Sequence, residues 1–436
     1  MPAAAQCGDL RTAGTPILSS DLRGTARLAI DATVAVTDVV EAMHRSIARL
    51  PWAPDASSTR TRGLTGLVYR SIRSITGWVG SGADVALTQL QPLLDKLTAQ
   101  AEGPARDALV AALNGVLGDH LAATGNPLAL PMEIRCQGRV LPHAEGERVL
   151  LLIHGLCMDD AQWQRRGHDH GAALARDLGY RRAYLRYNSG LHVSTNGREL
   201  AQQLERWIAD APQEVTELAI VGYSLGGLVA RSACHYAATA GYRWPRALKH
   251  LVFLGTPHLG APLERGGNWL DLALGMTRYS APLATLGRMR SAGITDLRHG
   301  SLLDEDWHGI DRFERNARLP QPIPLPSAVS CAAIAASTGQ RADDLGDRLL
   351  GDGLVPVASA LGQHADPARA LTFAPERQWI GYGMNHLDLL DHADVRATLH
   401  RLLAPSGGHT RRDLGSTKAP IPPGEGLACP ELVEEG

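Results

Sequence analysis

A serine flanked by glycines, Gly222-Tyr223-Ser224-Leu225-Gly226, follows the apolar run Ala219-Ile220-Val221 and leads into Gly227-Leu228-Val229-Ala230. A strand that turns sharply into a helix strains the residue at the turn, and glycines two positions to either side make room for it. Ser224 Oγ would then be held out at the top of a sheet. A serine hydroxyl is a weak nucleophile until a base removes its proton, and the base needs a carboxylate to orient it. Two later segments supply these groups: Asp352 in Gly351-Asp352-Gly353-Leu354-Val355-Pro356, and His386 in Gly383-Met384-Asn385-His386-Leu387-Asp388. Acyl transfer also requires donors for an oxyanion, and backbone N–H groups fixed at strand ends supply them without reorganising. The run Val149-Leu150-Leu151-Leu152-Ile153 ends in His154-Gly155-Leu156, which offers the N–H of Leu156 as one donor and that of Leu225 as the other.

Rival residues lie close by. Asp343, Asp344 and Asp347 precede Asp352 on the same connection, but they stand among Arg341 and Arg348 in a polar stretch and read as solvated charges. His258, in Gly255-Thr256-Pro257-His258, comes before the acid in the chain and is expected to support its own loop. His154 is expected to shape the loop it begins, and His392 and His400 to pack or face solvent on the last helix.

The elements that must position these residues are legible from pattern. After Pro131, short β-rich runs alternate with helical stretches, the grammar of a mostly parallel sheet with helices on both faces. Strands are expected at Val149–Ile153, Ala183–Tyr187, Leu218–Val221, His250–Leu254, Ala328–Ala335 and Gln378–Gly381, with helices from about Asp160, Thr195, Ser224 and Asp388. The stretch 261–326 is too long for a plain crossover and reads as a helical, lid-like insertion. Its apolar residues Trp269, Leu270 and Met276 are candidates to line an acyl site.

Before Pro131 the chain reads as all-helical. Leu22, Ala26, Ala29, Val36, Val40, Met43, Ile47 and Leu50 recur at helical spacing, a second stretch runs from about 64 to 97, and a third follows Pro104 with a stripe from Ala108 to Leu121. The expected organisation is a flexible terminus at 1–20, a helical region at 21–130, a catalytic domain at 131–404 and a disordered tail at 405–436. An amphipathic stripe can pack on protein or lie on a lipid surface, so the region 21–130 is an expected site of peripheral membrane contact.

Composition narrows the function classes. Of 436 residues, 44% are hydrophobic and 20% charged, which excludes a disordered or collagen-like chain. Lys plus Arg number 43 against 45 Asp plus Glu, so no overall basic field exists to hold nucleic acid. The six cysteines are scattered, with no zinc-site spacing, and read as free thiols of a reducing compartment. No export signal and no spanning apolar run is read, which leaves a cytoplasmic expectation, and no metal or cofactor is expected.

The set His154-Gly155-Leu156, Gly222-Tyr223-Ser224-Leu225-Gly226-Gly227, Gly255-Thr256-Pro257-His258, Gly351-Asp352-Gly353-Leu354-Val355-Pro356 and Asn385-His386 resembles the α/β-hydrolase superfamily, specifically its lipases and GPI inositol-deacylase-like esterases. The resemblance spans about Pro131 to Ala404. It implies an α/β-hydrolase fold and a serine esterase or lipase acting on an apolar acyl ester. Ser224, Asp352 and His386 would be its triad, and Leu156 and Leu225 its oxyanion donors. Two alternatives stay open: an acyltransferase using the same triad, and a non-catalytic hydrolase fold serving as a binding module.

Overall fold

The computed structural model describes residues 104–261, 291–309, 319–341 and 351–404. In chain order its elements are α1 (Pro104–Ala123), β1 (Glu133–Cys136), β2 (Arg139–Val140), β3 (Arg148–Ile153), α2 (His170–Leu178), β4 (Arg181–Arg186), α3 (Val193–Ala209), β5 (Glu217–Tyr223), α4 (Leu225–Ala240), β6 (Leu248–Leu254), α5 (Ala292–His299), β7 (Ser330–Ser337), α6 (Val357–Ala360), β8 (Gln378–Tyr382) and α7 (Ala393–Leu403).

The strands form one sheet in the order β2-β1-β4-β3-β5-β6-β7-β8. From β4 to β8 every pairing is parallel, while β1 runs antiparallel to both β4 and β2. Successive strand residues point to opposite faces, and β3 shows both faces buried. Val149, Leu151 and Ile153 enter one apolar cluster with residues of α1, α3 and α4, whereas Leu150 and Leu152 enter a second with Trp163, Leu174 of α2 and Val395 and Leu399 of α7. The expected mostly parallel sheet with helices on both faces is therefore present, and the chain has the α/β-hydrolase fold.

Several particulars differ from the sequence reading. The hairpin β1–β2 was not anticipated, because its strands are four and two residues long and its turn, Gln137-Gly138, uses positive φ at both positions (51° and 75°). The helix expected from Asp160 is a 3₁₀ turn at Asp160–Trp163, and α2 begins only at His170, where Asp169 caps it. The helix expected from Asp388 divides likewise into a 3₁₀ turn, His386–Leu390, and α7. Pro104 does open a helix, but the expected boundary at 130/131 does not part α1 from the sheet. Val110, Leu113, Val116, Leu117 and Leu121 are buried in the same cluster as β3, β4 and β5. The helices expected within 21–97, the disordered tail 405–436, Cys7 and Cys429 lie outside the described residues. Among the described residues Cys136, Cys157, Cys234 and Cys331 form no disulfide. Among the described residues no helix is long and apolar enough to cross a membrane.

Candidate active site

The site is built where the carboxyl ends of β3, β5, β6, β7 and β8 meet. Ser224 stands between β5 and α4 with φ 52° and ψ −122°, a backbone conformation that side-chain-bearing residues rarely occupy and that costs about 1–3 kcal/mol. The turn is possible because its flanks are glycine. A Cβ on Gly222 would stand 2.6 Å from Gly227 Cα, and one on Gly226 would collide with the carbonyl oxygens of Ile153 and His154. The Ser224 amide donates to Leu254 O at 2.8 Å, which ties the turn to the end of β6. Its Oγ is buried and makes no hydrogen bond among the described residues.

The acid and the histidine meet each other. His386 Nδ1–H donates to Asp352 Oδ2 at 2.6 Å, and both side chains are almost wholly buried. The other carboxylate oxygen, Oδ1, accepts from the amides of Leu354 (3.0 Å) and Val355 (2.8 Å), so Asp352 folds its own turn while it holds the ring. A backbone bond from His386 N to Asp352 O, 3.0 Å, joins the two loops directly, and Thr338 N bonds Gly351 O at 2.8 Å to hang the acid's loop on the end of β7. Asn385 Oδ1 accepts from the amides of Leu387 and Asp388, which starts the 3₁₀ turn at His386.

Two contacts tie His386 to residues that adjoin the serine turn. A Cβ on Gly255, next to Leu254, would lie 2.9 Å from His386 Cε1. The Tyr223 hydroxyl, one residue before Ser224, donates to His386 O at 3.1 Å, with ring centroids 4.9 Å apart. Sequence reading treated Tyr223 and Asn385 only as motif letters, although adjacency to Ser224 and His386 was the available signal.

The loop after β3 closes the site from the other side. Gly155 lies against Ser224, its notional Cβ 3.1 Å from Ser224 Cβ. The amides of Leu156 and Leu225, the expected oxyanion donors, make no hydrogen bond to another described residue. His154 stacks on Tyr187 (4.3 Å between centroids), its Nδ1–H donates to Gly155 O at 2.8 Å, and burial pushes its pKa down to about 3. A ring held neutral in this way shapes the loop, as expected. His258 is held similarly: burial and then Arg231 keep its pKa well below the usual histidine value, and its amide bonds Thr256 O at 2.9 Å within its own loop and Ser359 O of α6 at 3.2 Å.

A second histidine–carboxylate pair exists. His192 Nδ1 lies 3.0 Å from Asp296 Oδ2, but the ring stacks flat on Trp307 (3.7 Å) and Trp307 Nε1 donates to Ser194 Oγ at 2.9 Å. Ser194 thus lies in a helix with its hydroxyl engaged, and the pair pins α5 to the start of α3. Asp343, Asp344 and Asp347 and the expected acyl-site residues Trp269, Leu270 and Met276 lie outside the described residues. Among the described residues no cluster of His, Cys, Asp and Glu is arranged to hold a metal ion.

Residues 143–322 match the family described as the PGAP1-like alpha/beta domain. No curated protein matches the chain. Solved structures similar to it include the mature Bacillus licheniformis lipase BlEst2, at 17% identity and TM-score 0.35, over 62% of this chain and 98% of that one. The product of gene lin2722 from Listeria innocua is 13% identical at TM-score 0.35, over 61% and 96% of the two chains. EstA from Clostridium botulinum is 12% identical at TM-score 0.34, over 61% and 89%.

Proposed function

We propose that this chain, with the α/β-hydrolase fold and a PGAP1-like domain at 143–322, is a serine carboxylic-ester hydrolase acting on an apolar acyl ester. The observation that carries the reading is the buried 2.6 Å Asp352–His386 pair at the same strand ends as a strained serine whose Oγ has no hydrogen-bond partner among the described residues. With Nδ1–H given to Asp352, the ring's other nitrogen is the one that can take a proton from Ser224 Oγ.

In this mechanism Oγ attacks the ester carbonyl carbon as its proton passes to His386 Nε2, and the carbonyl π pair becomes an oxyanion. The N–H groups of Leu156 and Leu225 receive that charge. Such donors help because they are already oriented where charge develops, in a site that excludes water. The tetrahedral intermediate collapses with loss of the alcohol, which leaves with the proton held by His386. Water then attacks the acyl-enzyme with His386 as general base, and the acid is released. The proposed acyl pocket is the insertion carrying Trp269, Leu270 and Met276, and the stretches within 21–97 are the proposed lipid-surface contact.

The test is hydrolysis of p-nitrophenyl esters from C2 to C12, with fluorophosphonate labelling of wild type and Ser224→Ala. The wild type should be labelled and prefer longer chains, and the variant should lose labelling and about a millionfold in kcat. More than a tenth of wild-type turnover in a folded Ser224→Ala protein would defeat the assignment, and a flat chain-length profile would defeat the acyl-pocket reading.

A further inference from the structure

The loop that carries Leu156 is gripped on both sides by residues that follow β4. Two positions before Leu156, His154 O accepts from the Tyr187 hydroxyl at 2.8 Å. One position after it, Cys157 N–H donates to Ser189 Oγ at 3.0 Å. Both gripping side chains are fully buried. Between them Cys157 has φ 60°, unfavourable for a residue with a side chain, so the loop keeps this shape only where its surroundings fix it. The surroundings are tight. A Cβ on Gly115 of α1 would clash with Cys157 Sγ, Asn188 Nδ2 donates to Gly118 O at 2.9 Å, and Ser291 Oγ donates to Gly115 O at 2.6 Å. The thiol itself is inert, since burial raises its pKa to about 12.

We infer that Ser189 and Tyr187 are positioning residues for the oxyanion site: they form a two-point clamp that aims the Leu156 N–H at the developing negative charge. The inference rests on the serine-hydrolase reading above. Neither hydroxyl touches the substrate, and each acts through the backbone it holds. A donor displaced by a fraction of an ångström still binds substrate but stabilises the transition state less, because the charge it serves is absent in the ground state. The clamp therefore affects kcat and leaves KM in place.

The experiment uses the full chain with Ser189→Ala and Tyr187→Phe, each deleting one oxygen. The probe is an alkyl trifluoromethyl ketone. Ser224 Oγ adds to its carbonyl carbon, the proton passes to His386, and the resulting hemiketal oxyanion occupies the donor site. We expect kcat to fall about tenfold to a hundredfold in Ser189→Ala, short of the about 100- to 1,000-fold of losing a donor outright. KM should stay within twofold, and Ki for the ketone should rise in step with the fall in kcat. Tyr187→Phe should show the same split, and it decides the matter if Ser189→Ala does not fold. Folded variants with kcat and ketone Ki within twofold of wild type would overturn the clamp, as would a fall in kcat with unchanged ketone affinity. Ser224→Ala run alongside separates the two levels: if it still hydrolyses ester and binds the ketone, the serine-hydrolase reading fails, whatever the clamp does.

Discussion

Removing α1 should unfold the domain, not merely trim its edge. A chain beginning at residue 131 retains every expected catalytic residue and every strand, and by sequence pattern it looks complete. In the structure, Val110, Leu113, Val116, Leu117 and Leu121 of α1 are each at most 8% exposed and share one cluster with the sheet. Burying an aliphatic side chain of this size contributes about 1.5–3 kcal/mol, so the five together contribute about 7–15 kcal/mol as an upper estimate. A domain's net stability is about 5–15 kcal/mol, so the loss is as large as the whole. Polar links go too: Asn114, wholly buried, donates through Nδ2 to Val110 O and Leu128 O and accepts from Leu130 N. Leu121→Ala in the full chain is the smaller perturbation. It should cost about 2–5 kcal/mol and lower Tm by about 5–15 °C, whereas Ala122→Ser on the exposed side should shift it little. Thermal melts by circular dichroism read all three proteins. Cooperative melting of the 131 chain within a few degrees of the full chain would refute the reasoning, because α1 would then be an appendage.

The remaining expectations concern the acid and pH. Asp352→Asn keeps an oxygen for the Leu354 and Val355 amides but offers the imidazole no carboxylate, so kcat should fall by up to about ten-thousandfold with Tm nearly unchanged; a folded variant within tenfold of wild type would remove Asp352 from the proposed triad. His154 and His170, whose pKa burial lowers to about 3, and His258, lowered well below its usual value, stay neutral in the folded protein while the unfolded chain takes up their protons below about pH 6.5. Asp159 acts the other way: burial raises its pKa to about 6, so between about pH 4 and 6 the folded form holds a proton that the unfolded form releases. His168, His250 and His299 are lowered too, and Glu199 and Asp296 raised, so the histidines outnumber the opposing acids and stability should fall as pH drops from 7 toward 5. Equal urea midpoints at pH 7 and pH 5 would contradict that balance.

The expected nucleophile, acid and base were legible because each is announced by its immediate neighbours: glycines that allow an elbow, a Gly-Asp-Gly turn, an Asn-His at a strand end. The parallel strands were legible for a similar reason, since runs such as Val149–Ile153 are apolar on both faces. What escaped depends on contacts between distant segments. Six residues of β1 and β2 carry too little pattern to register as strands. The 3₁₀ turn that Asn385 starts ends with its cap at Asp391, and α7 begins anew at Ala393, a distinction that hydrophobic spacing does not encode. The stripe of α1 was seen, but nothing in a stripe says which surface it covers. Ser189 carries no motif at all, and only its 3.0 Å contact with the Cys157 amide, 32 residues away, gives it a role.

Burial explains how one histidine among 17 can be singled out. His154, His170, His258 and His386 are all nearly inaccessible to solvent. Desolvation disfavours an imidazolium, and in the first three nothing opposes it sufficiently: His154 faces a carbonyl, His170 bridges His168 and Leu389 O, and His258 faces the Arg231 guanidinium. Each is held neutral and does structural duty, His154 and His258 in their loops and His170 at the start of α2. His386 is the member of the four whose ring meets a carboxylate, at 2.6 Å, and a carboxylate is what stabilises the positive charge that appears when a ring takes a proton. The same carboxylate is kept in place by two backbone amides of its own turn, so it can orient the ring without being drawn away from it. Location at the sheet edge alone does not separate His154 or His258 from His386, since all three lie there. The identity of the ring's partner does, and that partner arrives from a loop 34 residues earlier in the chain.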